Sequence, residues 1–234
     1  MQKLITRILA ALAALGVLWL AAQETGWSLR SADPEPAARA RDTSHTHGYL
    51  ILALSWTPSW CAIEGAARGA ERCAPGADTG WLVHGLWPQF DAGGWPEFCD
   101  TPHPGPTRAQ TAAMIDIMGS DGLALHQWRK HGTCSGWTAQ DYFDQTRAVF
   151  AQVTFPEPIS PAGAGLHLSP EDLMAYFRAA NPGLGPDEAI LTCRDGMAQE
   201  IRLCVTHDLI PRPCDAGVLS RHCRARSVHL PPRP

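Results

Sequence analysis

Apolar residues run almost unbroken over residues 49–56, a pattern typical of a β-strand that is buried on both faces. Residues 80–84 form a second predicted strand, in which Leu82 and His84 share one face. Gly85 follows directly and is expected to let the chain turn there, since glycine adopts backbone conformations that other residues avoid. This part of the chain is therefore predicted to hold two strands, the second of which ends in a histidine.

Two further strands are predicted at residues 189–193 and 199–206, where apolar and polar residues alternate in the second segment. The residues between them, 194–196, include Asp195 and Gly196 and favour a turn, so the two strands should pair. The glycine- and proline-containing residues 91–107 are predicted to form a long loop pinned by a disulfide. The basic tail after Cys214 is predicted to be irregular.

Helical spacing appears in three other segments. Residues 107–118 have the periodicity of a helix, which 119–122 interrupt with two glycines. A capping box opens a predicted helix over 138–153. Its buried side would carry Tyr142, Phe143, Thr146, Val149 and Phe150. A further helix is expected to begin at 169–172, with proline at its first position, and to end at 181–183.

The stretch 126–134 is the one around which the candidate chemistry is organised. If it is helical, successive residues are about 100° apart, and four polar side chains fall on one face. They are His126, Gln127, Lys130 and His131. Trp128 and Leu125 point away from that face, where they can anchor the helix in a core. Two imidazoles and a lysine are thus predicted to be displayed together.

Length and composition narrow the class of protein. A chain of 234 residues is most simply one large domain, and its hydrophobic content of 45% is enough for a real core. The formal net charge of -4 argues against a scaffold that holds a polyanion by charge alone. No internal repeat or domain boundary is evident after residue 48, so 48–234 are predicted to be a single domain.

The N-terminus, residues 1–22, has the pattern of an export signal. Lys3 and Arg7 precede an apolar run of 15 residues, 8–22, which is short for a membrane span of about 20. An uncleaved N-terminal anchor is the alternative interpretation. Residues 23–47 have no apolar periodicity and are predicted to be a flexible segment. We therefore expect a periplasmic or secreted protein, without stable membrane association once the signal is removed.

Eight cysteines fit an oxidising compartment, and none of them forms a Cys-x-x-Cys pair of the kind found in zinc ribbons. Four disulfides are the natural number. The sequence by itself leaves their pairing open.

Three imidazoles and a lysine are suited to the cleavage of RNA. The ribose 2′-hydroxyl is the nucleophile, so no metal or other cofactor is required. One histidine can take the proton from that hydroxyl, and a second can give a proton to the departing 5′-oxygen. A lysine can stabilise the negative charge that develops on the phosphorus. DNA lacks the 2′-hydroxyl, so it should not be cleaved. Trp87 offers an aromatic face on which a base of the substrate can stack.

Two segments carry a resemblance to a known family. Residues 84–89, His-Gly-Leu-Trp-Pro-Gln, and residues 127–134, Gln-Trp-Arg-Lys-His-Gly-Thr-Cys, resemble in order and spacing the two active-site segments of the ribonuclease T2 family. The segment from Ser55-Trp56 to Cys61 is similar to the start of that family. The resemblance covers roughly residues 48–225. It implies an α+β fold, in which an antiparallel sheet packs against several helices and is stapled by disulfides.

The resemblance also implies a role for each matching residue. His131 would be the general base, His84 the general acid, and Lys130 the group that stabilises the phosphorane. His126 would bind the phosphate, and Trp87 would hold a base. The implied bridges are Cys61–Cys73, Cys99–Cys134, Cys193–Cys223 and Cys204–Cys214. The implied activity is that of an endoribonuclease, which cuts single-stranded RNA with low base specificity. We expect the protein to be a monomer.

Two positions depart from the family pattern. Gln127 stands where the family usually has glutamate, and glutamine can exchange hydrogen bonds with a phosphate but cannot carry a proton or a charge. Leu123 stands where a larger aromatic residue is common, so a second base could be held less tightly. These departures put the rate and the base preference in question more than the reaction itself.

Other functions are compatible with parts of this pattern. A catalytically weakened relative that binds RNA would explain Gln127 but has no need of His84, Lys130 and His131. A metal hydrolase is disfavoured because His126 and His131 are five residues apart, without the intervening glutamate of the His-Glu-x-x-His arrangement. A purely structural secreted protein would explain the cysteines but not the cluster of histidines.

Overall fold

A computed structural model describes residues 48–77, 79–157, 159 and 165–233, which fall within one compact unit of the chain. The predicted signal peptide, 1–22, and the predicted flexible segment, 23–47, lie outside the described residues. Among the helices of the described part, none is both long enough and apolar enough to cross a membrane.

One mixed sheet forms the centre of the described fold. Its strands are β1 (Tyr49–Trp56), β2 (Trp81–Gln89), β3 (Leu166–Leu168), β4 (Ala189–Arg194), β5 (Met197–Val205) and β6 (Val228–Leu230). The order is β2-β1-β5-β6-β3, and β4 also pairs with β5. The pairs are antiparallel apart from β5 and β6, which run parallel where Met197 meets His229.

Several helical segments flank the sheet. The α-helices of the described residues are α1 (Thr57–Trp60), α2 (Arg108–Ala112), α3 (Ile115–Met118), α4 (Asp121–Lys130), α5 (Ala139–Phe150), α6 (Pro170–Ala180) and α7 (Ala216–Leu219). A π-helical turn (Cys61–Gly65) and two 3₁₀ turns (Glu71–Cys73 and Gly132–Cys134) complete them. Sheet and helices together make the α+β fold that the resemblance implies.

The main core lies between the sheet and helices α4, α5 and α6. Leu52 and Leu86 face it from β1 and β2, and Trp128 enters it from α4. The opposite face of β1 carries Tyr49 and Ile51, which belong to a smaller apolar cluster. Strand β1 is therefore buried on both faces, as its sequence pattern predicts. The candidate site lies on the side of the smaller cluster.

Some predicted boundaries are wrong. The predicted helix over 107–118 is two short helices, α2 and α3, because the chain leaves the helical hydrogen-bond pattern near Met114. The predicted helix over 138–153 ends at Phe150. The tail after Cys214 is not wholly irregular, since it forms α7 and then β6, whose Val228 and Leu230 are buried in the main core.

Four disulfides staple the described fold. They are Cys61–Cys73, Cys99–Cys134, Cys193–Cys223 and Cys204–Cys214, which is the pairing that the family resemblance implies. Cys99–Cys134 ties the loop after β2 to the turn that follows α4. The backbone N–H of Phe98 also donates to the carbonyl of Lys130 at 2.8 Å, so this loop is fastened to the end of α4 twice.

Candidate active site

An irregularity in β2 sets the direction of two site residues. Ala53 pairs with Gly85 and Leu54 pairs with Val83, so His84 is an extra residue with no partner position in β1. In a regular strand, residues three apart point to opposite faces. The extra residue places His84 and Trp87 on the same face. The prediction that the chain turns at Gly85 is wrong, because β2 continues to Gln89.

His84 is held from the neighbouring part of the sheet. Its Nδ1 lies 2.6 Å from Oε1 of Glu200 on β5. Oε2 of Glu200 accepts hydrogen bonds from Nε and Nη2 of Arg202 at 2.9 and 2.7 Å. Burial would raise the pKa of Glu200, but its hydrogen bond and charge interaction with His84, together with Arg202, lower that pKa to about 2. Glu200 is therefore a carboxylate at every pH at which the protein would work.

His131 lies just beyond the last residue of α4 and has the opposite environment. Its backbone N–H donates to the carbonyl of Gln127 at 2.9 Å, and its residue is only 5% exposed. Burial, reinforced by the charges of Lys130, His84 and His126, lowers the pKa of His131 to about 3. Its buried Nδ1 has no hydrogen-bond partner among the described residues. His131 is therefore a neutral imidazole at ordinary pH.

Gln127 connects α4 to β2. Nε1 of Trp87 donates to its Oε1 at 2.8 Å, and Gln127 is only 2% exposed. Trp87 in turn packs against His131, with ring centroids 5.4 Å apart. Gln127 thus helps to hold Trp87, the predicted base-binding residue, against the neutral histidine. A glutamate here could accept the same indole hydrogen bond.

Only glycine fits at position 85, because the side chains of Gln127 and Trp87 lie directly against its backbone. A Cβ at this position would overlap Oε1 of Gln127 and Nε1 of Trp87. We predict that Gly85→Ala breaks that hydrogen bond and costs about 1–3 kcal/mol of unfolding free energy, as overpacking typically does. Urea denaturation would measure this cost. Gly105→Ala is the matched control, because a Cβ there meets nothing within 4 Å; equal stability of the two variants would contradict the prediction.

Lys130 and His126 complete the polar face of α4. Nζ of Lys130 lies 3.6 Å from Oε2 of Glu97, and about a third of the lysine side chain is exposed. His126 is more exposed, and its pKa is lowered by partial burial and then by the charges of Lys130 and His84. Both side chains are accessible to a ligand, in contrast to the buried Gln127 and His131.

The six residues singled out from the sequence line one cavity of about 250 Å³: His84, Trp87, His126, Gln127, Lys130 and His131. A second cavity of about 550 Å³ shares His84 and His126 with the first, so these two side chains form part of the wall between them. A ligand made of two units joined by a linking group could place one unit in each cavity and the linking group beside His84 and His126.

Sequence reasoning missed two charged residues of β5: Arg202, which lines both cavities, and Glu200, which lines the second. One signal was present, since these two charges alternate with Ile201 and Leu203 inside a predicted strand. The contact of Glu200 with His84 depends on the order of strands in the sheet, which alternation does not reveal. Trp95 and Arg221, from the loop after β2 and from the tail, were also missed as lining residues.

A neutral imidazole, a second imidazole paired with a carboxylate, and an accessible lysine are the groups of a metal-free acid–base site. The model of the ribonuclease T2 family matches residues 47–214. The chain belongs to that family.

Individual relatives agree with this assignment. The chain is 37% identical over 106 residues to a ribonuclease of Aeromonas hydrophila, covering 45% of this chain and 46% of that protein. It is 30% identical over 147 residues to a probable ribonuclease of Haemophilus influenzae, covering 58% of this chain and 51% of that protein. The chain therefore spans about half the length of these curated relatives.

The fold also matches that of solved structures. Trichomaglin, described as an S-like ribonuclease, superposes with a TM-score of 0.64 at 24% identity, covering 81% of this chain and 100% of that one. At this level of identity the likeness supports the fold.

Proposed function

We propose that this protein is an endoribonuclease that cleaves single-stranded RNA without a metal, through a 2′,3′-cyclic phosphate. The observation that carries the proposal is the contrast between two histidines on one cavity. His131 is buried among cations and neutral, whereas His84 has an ionised carboxylate 2.6 Å from its Nδ1. A base and an acid of the same residue type need such different environments in order to hold opposite protonation states at one pH.

The proposed reaction transfers one proton from the substrate to His131 and one proton from His84 to the leaving group. Neutral His131 accepts the proton of the ribose 2′-hydroxyl as its oxygen attacks the phosphorus. Protonated His84 gives its proton to the departing 5′-oxygen, and the P–O5′ bond breaks as the cyclic phosphate forms. Lys130 stabilises the charge on the phosphorane oxygens. His126 binds the phosphate, and a base stacks on Trp87.

Substrate choice follows from this chemistry. DNA has no 2′-hydroxyl and cannot supply the nucleophile. Two cavities that share the wall at His84 and His126 could take the nucleosides on either side of one phosphate. Four disulfides fit an oxidising compartment, so we infer a periplasmic or secreted enzyme.

Gln127 is the motive for a second candidate, a catalytically weakened relative that binds RNA. The amide of Gln127 still accepts from Trp87 as a carboxylate would, which favours a positioning role that glutamine can fill. Unlike a glutamate, Gln127 places no negative charge near His131. A negative charge there would favour the imidazolium, so its absence helps His131 to stay neutral.

Cleavage of single-stranded RNA in EDTA, by the wild type and Gln127→Glu, separates these candidates. We expect the wild type to cut with a bell-shaped pH profile on the acidic side of neutral. His131 acts only when neutral, so its pKa of about 3 places the acidic limb at low pH. The added carboxylate of Gln127→Glu should favour the imidazolium and move that limb to higher pH, by about one unit.

Three other results would change the conclusion. An inert wild type whose activity is restored by Gln127→Glu would favour the binding relative. Activity lost in EDTA would favour a metal hydrolase. An acidic limb that stays in place in Gln127→Glu would contradict the electrostatic role of this position.

A further inference from the structure

We propose that Glu200 is a positioning residue for the reaction, which fixes His84 in the orientation and protonation of the general acid, and that Arg202 holds Glu200 in place. This inference rests on the proposed function and extends it to two residues outside both sequence motifs.

The path between the two strands is open because β1 carries small residues there. Strand β1 lies between β2 and β5, and Ser55 pairs with Leu82 on one side and with Glu200 on the other. Its neighbour Ala53 pairs with Gly85 and with Arg202. The side chains of His84 and Glu200 can therefore meet over β1. The hydroxyl of Ser55 also donates to Oε1 of Glu200, at 3.2 Å.

The contact determines which nitrogen of His84 reacts. An ionised carboxylate only accepts hydrogen bonds, so Nδ1 of His84 must carry a hydrogen. Nε2 is then the nitrogen that can give a proton to the leaving oxygen. Nε and Nη2 of Arg202 both donate to the other oxygen of Glu200, Oε2, so these charge-assisted hydrogen bonds hold the carboxylate from its far side.

The charges around His84 make the carboxylate necessary. From α4 and its end, His126, Lys130 and the neutral His131 line the same cavity, and the charge of Lys130 disfavours a further positive charge there. From β5, Glu200 supplies the opposite charge, partly offset by Arg202. The low pKa of Glu200 agrees with this arrangement. Without Glu200, an imidazolium at His84 would lose the carboxylate in contact with its Nδ1 and keep the cations Lys130 and Arg202 on the same cavity.

Arg202 also touches the proposed base site. Its guanidinium carbon lies 5.2 Å from the ring centroid of Trp87, and His84 meets that ring edge-on at a centroid distance of 5.2 Å. Arg202 therefore contacts both Glu200, the carboxylate that holds His84, and Trp87, on whose ring a base would stack.

Leaving-group dependence tests the inference, because a good leaving group needs no general acid. The substrates are RNA and a nucleoside 3′-(4-nitrophenyl phosphate), whose nitrophenolate departs without a proton. We expect Glu200→Gln to lower kcat/KM on RNA at least about tenfold, mainly through kcat, and to leave the aryl ester close to the wild-type rate. The alkaline limb of the RNA profile should move to lower pH by about one unit, because His84 would lose its proton more readily.

Reference variants make each outcome interpretable. His84→Ala should also lose activity on RNA but not on the aryl ester. His131→Ala should lose activity on both substrates. Glu188→Gln is the matched control, a half-buried carboxylate that accepts from the backbone N–H of Gly185 and does not touch His84. If Glu200→Gln unfolds because Arg202 is left without its partner, the double variant Glu200→Gln/Arg202→Gln replaces the ion pair with two amides. Because Arg202 also contacts Trp87, both substrates should lose some rate in it, and the loss on RNA should still exceed the loss on the aryl ester.

Several results would overturn the inference. RNA cleavage and an alkaline limb like those of the wild type in Glu200→Gln would show that the carboxylate does not act through His84. An equal loss on both substrates in a folded variant would place its effect elsewhere. By contrast, a wild type inert on both substrates, or equal loss on both in His84→Ala, would refute the proposed function itself and the inference with it.

Discussion

Replacement of His131 by alanine is expected to lower RNA cleavage by about 10²–10⁴-fold while the protein stays folded, because the variant has no group to take the 2′-hydroxyl proton. Burial among cations keeps this imidazole neutral, so the wild type holds the base in its active form at every pH above its pKa of about 3. Steady-state rates at the pH optimum measure the loss. Far-ultraviolet circular dichroism and thermal melting establish the fold.

The control for this variant is His103→Ala, which removes a half-buried histidine of the loop after β2 that does not line the site. It should retain the wild-type rate. Exogenous imidazole gives a second check, since it can enter the space left by the ring and restore part of the activity of His131→Ala. Undiminished cleavage by His131→Ala would refute its role as the base.

Removal of the Cys99–Cys134 bridge is expected to have the second large effect, on both stability and activity. A lost disulfide typically costs about 2–5 kcal/mol, and the cost grows with the loop that the bridge closes. This bridge spans a sequence separation of 35 residues and fastens the loop that carries Glu97 beside Lys130. We expect Cys99→Ala/Cys134→Ala to melt at a clearly lower temperature and to cleave RNA more slowly.

The matched comparison is Cys61→Ala/Cys73→Ala. This bridge also joins one buried and one half-buried cysteine, but its sequence separation is 12 residues. The difference in loop length predicts that its removal costs about 1 kcal/mol less in unfolding free energy. It should also leave Lys130 undisturbed. Equal melting temperatures and equal rates in the two double variants would contradict the prediction.

Taken together, the candidate site sets two histidines in opposite electrostatic environments. α4 places His131 at its buried end, where cations keep it neutral. The sheet places His84 against Glu200, whose Oε1 lies 2.6 Å from its Nδ1. Gln127 keeps the indole contact that positions Trp87 but adds no charge.

The sequence by itself determined the local elements and most of the reactive groups. The alternation of β5, the capped start of α5, and the apolar run of β1 were all predicted and lie where the pattern puts them. The polar face of α4 was also predicted, because helical periodicity relates residues that are close in the chain. The two motifs by themselves carry the family resemblance.

Only the tertiary structure decided how these groups work together. The extra residue in β2 places His84 and Trp87 on one face of the sheet. The position of that extra residue is set by strand pairing, which the periodicity of the sequence does not encode. Glu200 reaches His84 because the sheet places β1 between their strands with small residues at the crossing point. The protonation of His131 likewise depends on burial and on charges brought together by folding, which no pattern along the chain can reveal.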